Sequence, residues 1–205
     1  KRTRVLERIF FHDLQNTASG LKILSKVLMK SAAPNNEIPR QISAGVKQLL
    51  DQINSQRELA AAESNELTVR TSVIESKAFL SEVVDQHTEL RADCPHKLII
   101  DPASVSVEFK SDAVLLKRVL DNMVKNAVEA SQPNQEITLG CDNSQQRVRF
   151  WVHNHGYIPR NVQLQIFKRS FSTKGPGRGL GTYSIKLLSE QYLKGRVSFQ
   201  SSKTQ

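Results

Sequence analysis

The sequence predicts an α+β protein in two parts, a helical hairpin over residues 1–66 and an α/β sandwich over residues 67–205. Three observations carry this. Apolar residues repeat at heptad spacing through the first 60 positions, and from about Leu67 short β-rich stretches alternate with helical ones. The net charge of +9 falls almost entirely in the last third.

In the first part, Phe10, Leu14, Thr17, Leu21, Leu24 and Leu28 follow one another at steps of four and three, a seam with one polar interruption. Two prolines and two asparagines in SAAPNNEIP (31–39) predict a turn. A second seam runs through Ile42, Val46, Leu49, Ile53 and Ala60, interrupted at Gln56. Two narrow apolar stripes cannot close a core alone, so pairing of two copies into a four-helix bundle, a homodimer, is expected.

In the second part, LTVRTSV, KLIID, VSVEF, EITLGC, RVRFWVH and RVSFQ read as strands. Helices are expected over 76–90, 112–131 and 180–192. Strands interleaved with helices, several of them separated only by turn residues, predict a layer sandwich. The stretch FKRSFSTKGPGRGLG reads as a loop feeding a helix.

The composition excludes several classes. With 39% hydrophobic and 24% charged residues the chain is an ordinary globular one. It has no run of about 18 apolar residues and hence no expected membrane span. No signal-peptide pattern is present, and the opening KRTR without Met reads as a piece of a longer protein. Two cysteines, Cys94 and Cys141, make no disulfide framework and suit a reducing cytoplasm. Residues 143–205 carry eleven basic residues and a single acid, Glu190, while residues 1–142 are nearly balanced. A local cluster of this kind points to one local anion and not to a nucleic-acid coat.

Three stretches carry chemistry. In FFHDLQN, His12 lies about 200° around the helix from Phe10 and Leu14, and so points away from the seam, with Asp13 beside it and Asn16 one turn on. A carboxylate can hold one imidazole tautomer and leave the other nitrogen free as a nucleophile. Taken alone, such a residue is more often an ordinary surface histidine. In KRVLDNMVKNAVEAS, Asn122 and Asn126 share a helical face. Their neutral oxygens suit a Mg²⁺ ion that keeps waters and binds phosphates. In GPGRGLGTYS, Gly177, Gly179 and Gly181 let the backbone approach a ligand just before a helix, where an anion is favoured. Lys174 and Arg178 add charge. His153 and His155 alternate on a strand and could reach a metal, with Cys141 a conceivable third ligand. Trp151 is expected in the core.

The order of these stretches resembles the kinase core of bacterial two-component sensor histidine kinases. FFHDLQN resembles the phosphoacceptor box, LDNMVKNAVEA the asparagine box, and VHNHGYIP a shortened first glycine box. IFKRSFSTKG resembles the phenylalanine-rich box and GRGLGTYSIKLL the second glycine box. The resemblance covers almost the whole chain, and the ordered set is specific where each box alone is weak.

The resemblance implies a dimerisation and phosphotransfer hairpin followed by a Bergerat-type ATP-binding domain, with ATP and Mg²⁺ as cofactors. His12 would attack the γ-phosphate, Asp13 would orient or deprotonate it, and Asn16 would position water for dephosphorylation of the partner. Asn126 would bind Mg²⁺, with Asn122 in the same polar shell. Phe167 and Phe171 would anchor the lid. Thr173, Lys174, Gly177, Arg178, Gly179 and Gly181 would lie along the triphosphate, with Leu180 and Thr182 in the same box. The partner would be the receiver domain of a response regulator, not a nucleic acid. Location would be cytoplasmic, with membrane contact only through other parts of a longer protein.

One position departs from the family pattern. Its first glycine box usually holds an Asp that accepts a hydrogen bond from the adenine amino group. Here Asn154 stands there, with Gly156 two residues on, and an alternative alignment puts His153 at that position. A neutral amide makes a weaker bond than a carboxylate. A second function class therefore stays open, a dimeric response-regulator docking module with weak or no kinase activity. A gyrase-like or chaperone-like ATPase is a third, against which the hairpin with His12 argues.

Overall fold

The computed structural model describes residues 14, 16–25, 27–28, 38–89, 96–144, 147–169, 171 and 180–202. His12, Asp13, Thr173, Lys174, Gly177, Arg178 and Gly179 lie outside these. The chain divides into two compact units, Lys1–Leu67 and Thr68–Gln205.

In the first unit, residues 14, 16–25 and 27–28 are helical (α1), and α2 spans Ile38–Glu63. Most of the expected turn lies outside the described residues, but its last two, Ile38 and Pro39, already belong to α2. Proline is tolerated in a first turn because the amide it lacks has no intrahelical partner there. The 26 residues of α2 span about 39 Å at 1.5 Å each. The helix ends in a left-handed cap: Asn65 has φ 56°, its N–H donates to Ala62 O, and Glu66 N–H donates to Ala61 O.

The expected seam divides. Val46 and Ile53 are buried within the chain, whereas Ile42 and Leu49 are exposed. In α1 the covered positions are Ala18 and Ser25, and Leu21, Leu24 and Leu28 are open.

The second unit runs β1 (Ser72–Glu75), α3 (Ser76–Glu89), β2 (Lys97–Ile100), β3 (Glu108–Ser111), α4 (Ala113–Ala130), β4 (Glu136–Ser144), β5 (Arg147–Asn154), α5 (Arg160–Gln163) and α6 (Gly181–Leu187). A wider π-helical turn, Leu188–Tyr192, continues α6. β1 pairs antiparallel with β3, and a three-stranded sheet has the order β2-β4-β5, parallel then antiparallel.

Alternation along the strands decides which face is covered. Ile137, Leu139 and Cys141 of β4 point inward and are buried beneath Leu80 and Val83 of α3 and Leu116, Leu120, Val124 and Ala127 of α4. Phe150 and Val152 of β5 pack against the same core. Phe150 also meets Phe79 at 6.4 Å and Phe109 of β3 at 5.7 Å between ring centroids, which ties the two sheets together. Segment 101–107 bridges them through the backbone. The fully buried Ser76 hydroxyl donates to Val105 O at 2.7 Å and accepts from Val107 N–H, and Val105 N–H donates to Cys141 O.

Two expectations fail here. Trp151 is not in the core. It lies between the inward Phe150 and Val152, so it must point to the other face, where it is half-buried opposite Gly140. There the indole lies over Gly140 so closely that a Cβ at position 140 would fall within its ring system. The stretch RVSFQ forms no strand. Lys194 takes φ 56°, and the chain then runs where the Phe199 ring meets Phe167 at 5.7 Å and Ser201 Oγ accepts from Ile158 N–H.

Helix α4 starts at Asp112, which is 4% exposed. Its Oδ1 accepts from Leu115 N–H at 3.0 Å and its Oδ2 from Arg70 N–H at 2.7 Å. Loss of a helix cap that leaves such amides unpaired costs about 1–3 kcal/mol. Asp112→Ala is expected to destabilise the protein by that amount in urea unfolding, and Asp112→Asn by less.

Candidate functional site

Helix α4 has 100° between successive residues, which places Asn126 and Asn122 on one flank of its apolar stripe and Asp121 on the opposite flank. Both asparagines are half-buried. The start of α6 comes onto their flank: a Cβ built on Gly181 would lie 3.6 Å from Asn126 Oδ1 and 3.9 Å from Asn122 Oδ1. The half-buried Leu180 and Thr182 flank Gly181 in the chain.

Four residues beyond Asn126 and eight beyond Asn122 on the same helix, about 6 and 12 Å at 1.5 Å per residue, the end of β5 arrives. A Cβ on Gly156 would lie 3.5 Å from Asn154 Nδ2 and 3.8 Å from the Ala130 carbonyl oxygen. Asn154 pairs in register with the buried Ile137 and so stands on the helix-covered face, whereas His153 pairs with Thr138 and stands on the other. Asn154 Nδ2 donates to His155 O at 3.3 Å. Two stretches far apart in sequence, 154–156 and 180–182, thus come onto α4.

The remaining expected residues are placed less closely. Phe167 meets Phe199, and Lys186 of α6 sets its ammonium 5.9 Å from the Phe167 ring centroid. Phe171 is half-buried, and its N–H donates to Lys168 O. Asn16 is an exposed residue of the first unit. Cys141 does not join the two histidines. It faces the core, its thiol donates to Val105 O, and it pairs with Phe150, three positions from His153 and on the opposite face. The rings of His153 and His155 stand 5.6 Å apart, and no group of three or more His, Cys, Asp or Glu suited to a metal occurs among the described residues.

For a hard cation the donors that fit are the amide oxygens of Asn122 and Asn126, gathered at a glycine that leaves room above them. Neutral oxygen suits Mg²⁺, which keeps several of its waters and takes further oxygens from phosphates.

Sequence reasoning missed a bridge behind this flank. His87 of α3, 8% exposed, places Nε2 3.0 Å from Asp121 Oδ1, and Lys117 donates to both oxygens of Asp121 at 3.0–3.1 Å. Lys117 and Asp121 are an i, i+4 pair visible in the sequence, but His87 is 34 residues away and only the fold brings it in. Burial pushes the Asp121 carboxyl up. The hydrogen bonds from His87 and Lys117, together with their charge, outweigh that and hold it below its ordinary value.

A carboxyl held low contributes stability above its unfolded-state pKa and loses it as pH falls through the folded value. The stability gap between wild type and Asp121→Asn, measured by urea unfolding, is therefore expected to be full above about pH 5 and to shrink as pH falls below about 4.

Comparison with known proteins finds similarity to ATPases and to sensor kinases. Residues 111–205 match the family of histidine kinase-, DNA gyrase B- and HSP90-like ATPases. The chain is 33% identical over 88 residues to the sensor protein DegM of a Bacillus species, covering 42% of this chain and 23% of that protein. It is 25% identical over 185 residues to the adaptive-response sensory kinase SasA of Crocosphaera subtropica, covering 83% of this chain and 48% of that one. The chain thus spans about half or less of these relatives. Its fold matches that of full-length ShkA, solved in complex with AMPPNP, with a TM-score of 0.74 at 18% identity, over 90% of this chain and 40% of that one. No helix among the described residues is long and apolar enough to cross a membrane. Residues 111–205 thus carry the ATPase match shared by histidine kinases, DNA gyrase B and HSP90, and over most of its length the chain is similar to sensor kinases.

Proposed function

We propose that the chain is a working kinase core that autophosphorylates His12 from Mg-ATP and passes the phosphoryl group to an aspartate in the receiver domain of a response regulator. The observation that carries this reading is the meeting of Gly181 with Asn122 and Asn126 on one flank of α4, with Asn154 and Gly156 at its far end.

In this reading residues 67–205 form a Bergerat-type catalytic domain. The glycine-rich stretch through Gly177, Gly179 and Gly181, with Thr173, Lys174 and Arg178, cradles the triphosphate, and Leu180 and Thr182 border it. Asn126 would hold Mg²⁺, with Asn122 beside it, and bound there the ion would supply positive charge against the phosphates. Phe167 and Phe171 anchor the two ends of the segment leading into the lid. A ring nitrogen of His12 attacks the γ-phosphorus. The N–P bond forms as the bond from phosphorus to the β-γ bridging oxygen breaks, and ADP leaves. Asp13 accepts the other ring N–H and so holds the nucleophilic tautomer. Such chemistry asks for positioning and charge stabilisation above all. In a second step the receiver carboxylate takes the phosphoryl group from His12. For the reverse activity Asn16 orients the water that attacks the partner's acyl phosphate.

Residues 1–66 act as the dimerisation and phosphotransfer domain. The exposed Leu21, Leu24, Leu28, Ile42 and Leu49 support a homodimer, since a second copy would cover them. ATP and a receiver domain as substrates point to the cytoplasm.

The test is incubation with γ-labelled Mg-ATP. Wild type is expected to gain an acid-labile, alkali-stable label. His12→Gln is expected to gain none, and Asn126→Ala to label at least about a hundredfold more slowly, the usual scale for losing one preorganised electrostatic contact. Labelling of His12→Gln at the wild-type rate would overturn the assignment. The amide at Asn154 favours a second reading, a docking module with little kinase activity, and absence of both labelling and nucleotide binding would select it.

A further inference from the structure

The two ends of the flank along α4 differ in chemistry, and the difference assigns the parts of a nucleotide to them. At one end Gly181 meets two amide oxygens, and the sequence from residue 160 to 186, to which Gly181 belongs, holds six basic residues and no acid. Phosphates belong there. About 6–12 Å further along the helix, Asn154, Gly156 and the Ala130 carbonyl meet with no formal charge among them. That end suits a base.

Asn154 is the side chain placed to read it, since it closes β5 on the helix-covered face and neighbours the Ala130 carbonyl across Gly156. A primary amide offers one acceptor and one donor side by side, whereas a carboxylate offers acceptors only. Within the chain its amide is held by a single bond, from Nδ2 to His155 O at 3.3 Å, which is longer than a well-formed N–H···O bond. Turning the amide over forfeits only that one weak bond.

We infer that Asn154, which the resemblance sets at the adenine-contacting position, admits 6-amino and 6-keto purine nucleotides alike. This rests on the nucleotide-site reading above and specifies its substrate class. A 6-amino purine gives its exocyclic N–H to Oδ1 while Nδ2 donates to ring N1. A 6-keto purine accepts from Nδ2 after the flip and gives its N1–H to Oδ1. Either base satisfies both halves of the amide. A carboxylate at position 154 would face the 6-keto oxygen with no proton between two acceptors.

Titration calorimetry of the chain with Mg-ATP and Mg-ITP tests this, ITP differing at the 6-position without adding a 2-amino group. Wild type is expected to bind the two with dissociation constants within about tenfold, the scale of one neutral hydrogen bond. Asn154→Asp is expected to widen the preference for ATP to about a hundredfold or more, because a buried polar contact would be left unpaired. Wild-type discrimination above about a hundredfold, or an unchanged ratio in a folded Asn154→Asp, would overturn the inference and leave the nucleotide site standing. Binding of neither nucleotide would overturn both. The wild-type ratio decides even if the variant does not fold.

Discussion

The second unit depends on the rotation of α4 about its own axis. Leu116, Leu120, Val124 and Ala127 must face β4, and Asn122 and Asn126 must come out beside them. A turn of the helix by one residue, about 100°, would drive leucines into solvent and an amide into the core, and both changes are unfavourable. On the opposite flank the His87–Asp121–Lys117 bridge adds a polar lock from α3. The Asp112 cap fixes where the helix begins, so its depth as well as its rotation is determined. The site is therefore the by-product of a core packing problem solved in one way.

Much of this was legible in the sequence because it follows a period. The apolar rows of α3 and α4 repeat at helical spacing, and Asn122 and Asn126 share a face for the same reason. What escaped was what depends on long-range contact. RVSFQ has the composition of a strand, yet side-chain contacts at Phe199 and Ser201 take the chain elsewhere. No local rule could join His87 to Asp121 or Lys186 to Phe167. Trp151 was a different failure. Its type suggested the core, but the alternation set by Phe150 and Val152 already required the other face.

The first unit shows how an apolar stripe can serve two surfaces. Val46 and Ile53, seven residues apart, are covered within one chain, while Ile42 and Leu49, also seven apart and alternating with them, are left open. In α1 the covered positions, Ala18 and Ser25, are small, and the open apolar ones are the larger Leu21, Ile23, Leu24, Val27 and Leu28. Small residues permit close approach of backbones, so the larger side chains remain for a different contact.

The indole of Trp151 over Gly140 has a consequence for sequence variation. No side chain larger than hydrogen fits at position 140 while the ring lies where it does, and without the ring a glycine there would leave bare backbone on the outer face of the sheet. Neither residue touches the flank of α4, so no selection on nucleotide chemistry need preserve them. Drift at the two sites should nonetheless be linked: among descendants of this chain, position 140 gains a side chain only where position 151 has first become small, and a glycine facing a non-aromatic residue marks the unstable intermediate between those two solutions.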